Sequence, residues 1–145
     1  MTAVALIAFF FILQQFRVLS IAGINPNLLL VGLLFFAIRA EHFRFLAVLL
    51  GVSAGLTLLF TPAWFFQFLG VVLVVLIFYF VKGFMTGSRF LDFLIAVAAG
   101  NLLFYLVVNL FSFNLPYVLI LEETAYNILA ASAMWLLFSK YEKSS

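Results

Sequence analysis

The sequence predicts an all-α integral membrane protein: a six-transmembrane-helix bundle with a short second helix. Three observations predict it. Of the 145 residues, 68% are hydrophobic and only 8% charged, whereas a soluble domain needs about a quarter charged residues to cover its surface. Six apolar runs follow one another with only a few residues between them. That leaves no room for a separate soluble domain and makes 1–145 a single transmembrane domain. The lysines and arginines fall almost wholly in alternate turns of the series, as positive charge held on one side of a bilayer requires.

Helix one is expected over about 2–20. It is apolar to Leu13, then carries Gln14, Gln15 and Arg17. It lacks the basic leader of a signal peptide, and Ala22-Gly23 is followed at once by more apolar sequence, so an uncleaved helix is expected. Helix two, about 26–38, opens at Asn25-Pro26-Asn27-Leu28. Pro26 suits the first helical turn, where no intrahelical N–H bond is lost, and Asn25 ahead of it can cap. Its apolar run of about 11 residues spans roughly 17 Å, short of the roughly 20 residues of a comfortable crossing. It therefore reads as a short, tilted or partly interfacial segment.

A basic turn with Arg39, Glu41, His42 and Arg44 leads into helix three, about 43–60. Gly51-Val-Ser-Ala-Gly55 puts two flat spots on one face of that helix, which lets a neighbouring helix approach closely. Packing within the bundle is the expected use of this face, and a dimer contact is the alternative. Thr61-Pro62 ends helix three because proline cannot continue it. Trp64 falls where an aromatic belt residue is expected. Helix four is expected over about 63–84, with Gly83, Gly87 and Ser88 in the next turn between Lys82 and Arg89. Helix five is expected over about 90–111. Asp92 lies in its first turn, suits the helix dipole and can pair with Arg89. A last turn over 112–116 and an apolar lead-in precede helix six, about 118–139, and a polar tail closes the chain.

Arg39, Arg44, Lys82, Arg89, Lys140 and Lys143 occupy the 2–3 turn, the 4–5 turn and the tail, while the 1–2, 3–4 and 5–6 turns hold no lysine or arginine. Six spans put all the occupied turns on one side, so both termini are expected in the cytoplasm. Five spans, with helix two merely interfacial, would put the 2–3 and 4–5 turns on opposite sides and break the pattern.

Polar groups inside membrane segments are costly and call for partners. Asn101, Tyr105 and Asn109 recur every four residues on helix five and form one stripe facing the bundle interior. Helix six carries Glu122, Glu123, Tyr126 and Asn127, and helix one carries Gln14 and Arg17. Counted at 1.5 Å per residue, Arg17 and Tyr105 lie about 23 Å from the cytoplasmic ends, and Asn127 comes to a similar depth. Helices one, five and six thus share a polar layer in the outer half. It serves as internal hydrogen-bond glue, a partner-docking site or a ligand pocket. Arg17 either snorkels or pairs with Glu122 or Glu123, the acidic residues near the outer side. Such a pair makes helices one and six neighbours.

Cysteine is absent, which excludes disulfides and thiolate metal sites, and the single histidine, His42, makes no metal cluster. No cofactor is expected. No Ser/His/Asp set, HExxH or phosphate loop is present, and adjacent Glu122 and Glu123 point about 100° apart on a helix, which is poor geometry for a dyad. The chain is not expected to be an enzyme. Its basic turns hold too few charges for nucleic acid and suit anionic headgroups of the lipid bilayer.

Three stretches resemble the MreD family. These are the opening of helix two, Pro26-Asn27-Leu28-Leu29-Leu30; helix three with Gly51, Gly55 and Leu56-Thr57-Leu58-Leu59; and the closing segment Glu122-Glu123-Thr124-Ala125-Tyr126-Asn127-Ile128-Leu129-Ala130. Size, six spans and cytoplasmic termini also match, while the tail, Lys140-Tyr-Glu-Lys143, is less basic than the family's arginine clusters. The resemblance implies a non-enzymatic scaffold of the bacterial cell-elongation complex in the inner membrane. It would bind an MreC-like bitopic protein and help link the MreB cytoskeleton to a RodA-like glycosyltransferase and a class B penicillin-binding protein. The family is similar in fold to the S components of ECF vitamin transporters, so a substrate-binding carrier subunit is the alternative. S components dock through alanines spaced AxxxA in helix one. Ala3, Ala5 and Ala8 lack that spacing, and the outer turns are too short to lid a vitamin site, which favours the scaffold.

Overall fold

The computed structural model of the chain describes residues 2–109 and 116–139. They form six α-helices: α1 (Thr2–Gln15), α2 (Leu28–Arg39), α3 (Phe43–Phe60), α4 (Phe65–Val81), α5 (Arg89–Val108) and α6 (Tyr117–Phe138). Single 3-10 turns, Pro62–Trp64 and Lys82–Phe84, flank α4. The expected end of helix five at 110–111, the turn at 112–115 and the tail with Lys140 and Lys143 lie outside the described residues. Three segments are long and apolar enough to cross a membrane: Phe43–Phe60, Pro62–Phe84 and Arg89–Val108. α6 has 22 residues, but Glu122, Glu123 and Asn127 dilute its apolar character. α1 has 14 residues and α2 has 12, shorter than a crossing needs.

α2 is the centre of the bundle. Nine of its twelve residues are buried, and it packs against all five other helices. A helix that is apolar on every side must be enclosed by protein or lipid, and here the enclosing surface is the rest of the chain. The expectation of a partly interfacial segment is corrected accordingly: α2 is short because it is a core element. Its C-terminal carbonyls are neutralised by Lys82, whose Nζ donates to the carbonyls of Ala37, at 3.3 Å, and Ala40. A cation at that end also suits the helix dipole.

Two glycines let α2 sit this deep. A Cβ on Gly32 would come within 2.8 Å of Phe10 Cδ2, and one on Gly100 within 3.0 Å of Leu34 Cδ1 and 3.2 Å of Val74 Cγ1. Gly32 is therefore the point where α1 crosses α2, and Gly100 the point where α5 closes on α2 and α4. The pair expected to pack inside the bundle, Gly51 and Gly55, does not: a Cβ on either meets nothing within 4 Å. Beyond these crossings, Phe35 stacks edge-on against Phe93 and Trp135. The Arg39 guanidinium lies over the Phe35 ring at 4.0 Å and the Trp135 ring at 4.3 Å.

α1 stops at Gln15, not at Ser20. Arg17 adopts φ 51°, its N–H donates to the Gln14 carbonyl at 3.2 Å, and the Val18 N–H donates to the Leu13 carbonyl at 3.3 Å. These are the paired bonds of a Schellman motif, with an arginine in the left-handed position that glycine usually takes. A second reversal follows at Ala22 (φ 53°) and Gly23 (φ 84°), closed by reciprocal Ile21 and Ile24 backbone bonds of 3.0 and 2.9 Å. At the other end of the bundle, Asp92 accepts from the Thr86 N–H at 2.9 Å and from its hydroxyl at 2.6 Å, tying the α4–α5 turn to α5.

Candidate functional site

A helix whose N-terminus is buried must have its first N–H groups satisfied from elsewhere, and the polar layer does this for α2. The Asn27 N–H donates to Asn127 Oδ1 at 2.9 Å and the Leu29 N–H to Gln14 Oε1 at 2.8 Å. The Leu30 N–H donates to Asn27 Oδ1 at 3.2 Å. The cap is thus Asn27 rather than Asn25, and Pro26 precedes the helix instead of opening it. Asn25 Nδ2 donates instead to the Gln14 carbonyl at 3.1 Å, fastening the chain before α2 to the end of α1.

From Asn127 the bonds run on in one direction. Asn127 Nδ2 donates to Asn101 Oδ1 at 3.1 Å, and Asn101 Nδ2 donates to Thr124 Oγ1 at 2.8 Å. Thr124 Oγ1 donates to the Ile120 carbonyl at 2.6 Å. Asn101 and Asn127 are both fully buried. At side chains buried this completely, each broken link leaves a donor or acceptor unmet. Thr124 is the member missed by sequence reading, while Gln14, expected in the layer, reaches the α2 N-terminus. Thr124 lies three residues before Asn127, on the same helical face, and that spacing could have found it.

The other expected residues divide. Tyr105 Oη donates to Glu123 Oε2 and joins α5 to α6. Tyr126 Oη donates to the Leu19 carbonyl, pinning the connection between α1 and α2. Asn109 leaves the stripe: its Nδ2 donates to the Tyr105 carbonyl at 2.9 Å, at the end of α5. Glu122 is exposed. Arg17 is exposed too, and no ion pair joins it to Glu122 or Glu123 among the described residues. The two sides are separated by a cavity that both Arg17 and Glu123 line. α1 ends at Gln15, two residues before Arg17, which leaves Arg17 outside the helix and exposed at the edge of that cavity. Replacing Arg17 by glycine should therefore raise thermal stability in detergent by about 0.5–1 kcal/mol, because the left-handed strain is relieved. An ion-paired arginine would give a loss instead.

That cavity, of about 530 Å³, lies between the ends of α1, α3, α5 and the start of α4. Phe11, Phe68 and Phe104 supply apolar wall, and Gln14, Gln67 and Tyr105 supply polar groups. Asn25 Oδ1 is buried and accepts no hydrogen bond among the described residues. The cavity thus combines an apolar wall with a few convergent polar groups. Among the described residues no group of three His, Cys, Asp or Glu side chains is placed to hold a metal ion. Compared with known proteins, the chain matches no family model, no curated protein and no solved structure.

Proposed function

We propose that the chain is a non-enzymatic membrane scaffold of the bacterial cell-elongation complex. In this reading it is a six-span bundle of the inner membrane with both termini cytoplasmic. It binds an MreC-like bitopic protein, and through it a RodA-like glycosyltransferase and a class B penicillin-binding protein. One observation carries the reading. Two of the three stretches on which the MreD resemblance rests meet in space, Asn27 of the helix-two opening bonding Asn127 of the closing segment at 2.9 Å. Residues far apart in sequence are thus tied into one device, which supports the resemblance as a structural one. Reporter fusions at Ser145 and in the α4–α5 turn near Gly87 test the topology: both should read cytoplasmic, and an external reading at either sinks the six-span arrangement.

The partner's single helix is assigned to α3. Its Gly51–Gly55 face is open, and α3 is the least buried of the three long apolar segments. Small residues are what close helix approach in a membrane uses. Gly51→Leu and Gly55→Leu should leave the fold as stable as wild type or more stable by up to about 1 kcal/mol. They should cut co-purification of the MreC-like protein about tenfold, the effect of about 1.4 kcal/mol. Undiminished co-purification would move the partner to another face. The polar cavity favours a second reading, a substrate-binding subunit of an ECF-type vitamin transporter. Nanomolar binding of a vitamin together with no co-purifying MreC-like protein would replace the scaffold by the carrier.

A further inference from the structure

On the side of the bundle where the α1–α2 connection lies against α6, we propose a contact with a second copy of this chain, in which Arg17 of each copy pairs with Glu122 of the other. The inference rests on the membrane reading above but not on the identity of the protein partner. Tyr126 Oη donates to the Leu19 carbonyl. That bond lays the 17–20 turn, closed by the Ser20 N–H donating to the Arg17 carbonyl at 3.0 Å, against α6. Glu122 precedes Tyr126 by four residues and so shares its helical face, one turn of about 5.4 Å away. Both Arg17 and Glu122 are exposed, and among the described residues neither side chain has a hydrogen bond or an ion pair.

The occupant follows from the pattern of charge. Each charge is set among exposed apolar side chains, Phe16 and Val18 beside Arg17, Val118 and Leu121 beside Glu122. An unpaired charge in such surroundings is expensive in a membrane. Glu123 does not neutralise Arg17, because it is buried and accepts from Tyr105. One cation and one anion sum to zero, so the patch as a whole selects neither an anionic nor a cationic partner. It is complementary to itself after half a turn. A two-fold contact sets residue i of one copy on residue j of the other, and j on i. Two copies inserted the same way in one membrane hold equivalent groups at equal depth. The backbone at Arg17 points to the same use. An arginine at φ 51° is strained where glycine is not, and strained positions of this kind cluster at functional sites. Within one copy this side chain bonds nothing. Between copies it makes with Glu122 the parallel hydrogen bonds of an arginine on a carboxylate, once on each side of the axis.

The test is energy transfer in liposomes between copies carrying a donor or an acceptor dye at Ser145→Cys, the chain having no cysteine of its own. Transfer should saturate as protein density in the membrane rises, as a dimer requires. Arg17→Glu and Glu122→Arg should each raise the dimer dissociation constant about tenfold or more, because like charges then meet at both contacts. An equimolar mixture of Arg17→Glu donors with Glu122→Arg acceptors should restore it to within about threefold of wild type, since every contact again joins opposite charges. No pairing inside one copy can produce that rescue. Arg17→Gly, whose own fold gains from relief of the left-handed strain, should also raise the constant, which keeps the test decisive where a charge-reversed variant folds poorly. Three results overturn the proposal: wild-type transfer no higher than that of an unrelated membrane protein at equal density, single variants that dimerise as well as wild type, or a mixture no better than its parts. Flotation of the liposomes separates the two failures. A chain that does not float refutes the membrane reading and this contact with it, whereas a chain that floats and does not dimerise refutes only the contact.

Discussion

Gly32→Leu is expected to destabilise the bundle by about 2–3 kcal/mol, one of the two largest effects foreseen for a single substitution. The first added carbon would lie 2.8 Å from Phe10 Cδ2 and 3.3 Å from Ile7 Cδ1. Neither ring nor methyl can swing into open space, because Ile7 is fully buried and Phe10 nearly so. α1 must then move off α2, and α2 loses its cover along that side. The gain in helix propensity on replacing glycine, about 0.8–1 kcal/mol at most, offsets only part of this. The same substitution at Gly55 provides the internal control, with equal propensity gain and no atom within 4 Å of the new Cβ. Thermal unfolding of both variants in one detergent checks the contrast. A similar loss at Gly55 would mean that the α3 face is covered within the monomer after all.

Asn127→Leu is expected to cost about 2–4 kcal/mol. It leaves the Asn27 N–H and Asn101 Oδ1 without their partners, and an unmet buried group costs about 1–3 kcal/mol. Hydrogen bonds between membrane helices average only about 0.6 kcal/mol, because the membrane-embedded unfolded chain finds substitute partners. Asn127 exceeds that average because it serves two partners, one of them the N–H of the α2 cap residue itself. The double variant Asn101→Leu/Asn127→Leu should be less damaging than the sum of the singles by about 1 kcal/mol, since the first change already strands the other's amide. Additive losses would show that the bonds act independently rather than as one relay.

How much of this was legible from sequence depends on whether the signal was local. The limits of α3, Phe43–Phe60, agree with expectation, because a basic turn before and a proline after are written in the chain itself. The interior placement of Asn101 and Asn127 follows from the cost of polar groups in apolar helices, and both are buried. Their partners were not legible, since nothing in the spacing of α5 or α6 says that Asn127 reaches Asn27 a hundred residues away. The end of α1 was missed because the left-handed position falls on Arg17, a residue type that does not announce a helix stop as glycine does. The error at Gly51 and Gly55 is of the same kind. Spacing shows that a face is flat, but whether another helix lies on it is a property of the whole bundle. Gly32 and Gly100, neither of them in a GxxxG spacing, are in close contact.

The early stop of α1 has a consequence for the surroundings of the protein. Fourteen helical residues reach about 21 Å, while the hydrocarbon layer of a typical bilayer is about 30 Å thick. α2 escapes this shortfall because it is sheathed by its neighbours, but α1 does not: Phe9 and Ile12 face outward, each about half exposed. In the six-span arrangement proposed above, acyl chains beside α1 shorten or splay, at a cost of a fraction of a kcal/mol for each ångström of mismatch. Its neighbour α3, and α4 beside that, match the layer more closely. The protein would then present helices of uneven height to the lipid, pinching the leaflets beside α1. It would be drawn to thinner patches of membrane, or toward any neighbour whose own helix spares the lipid that strain.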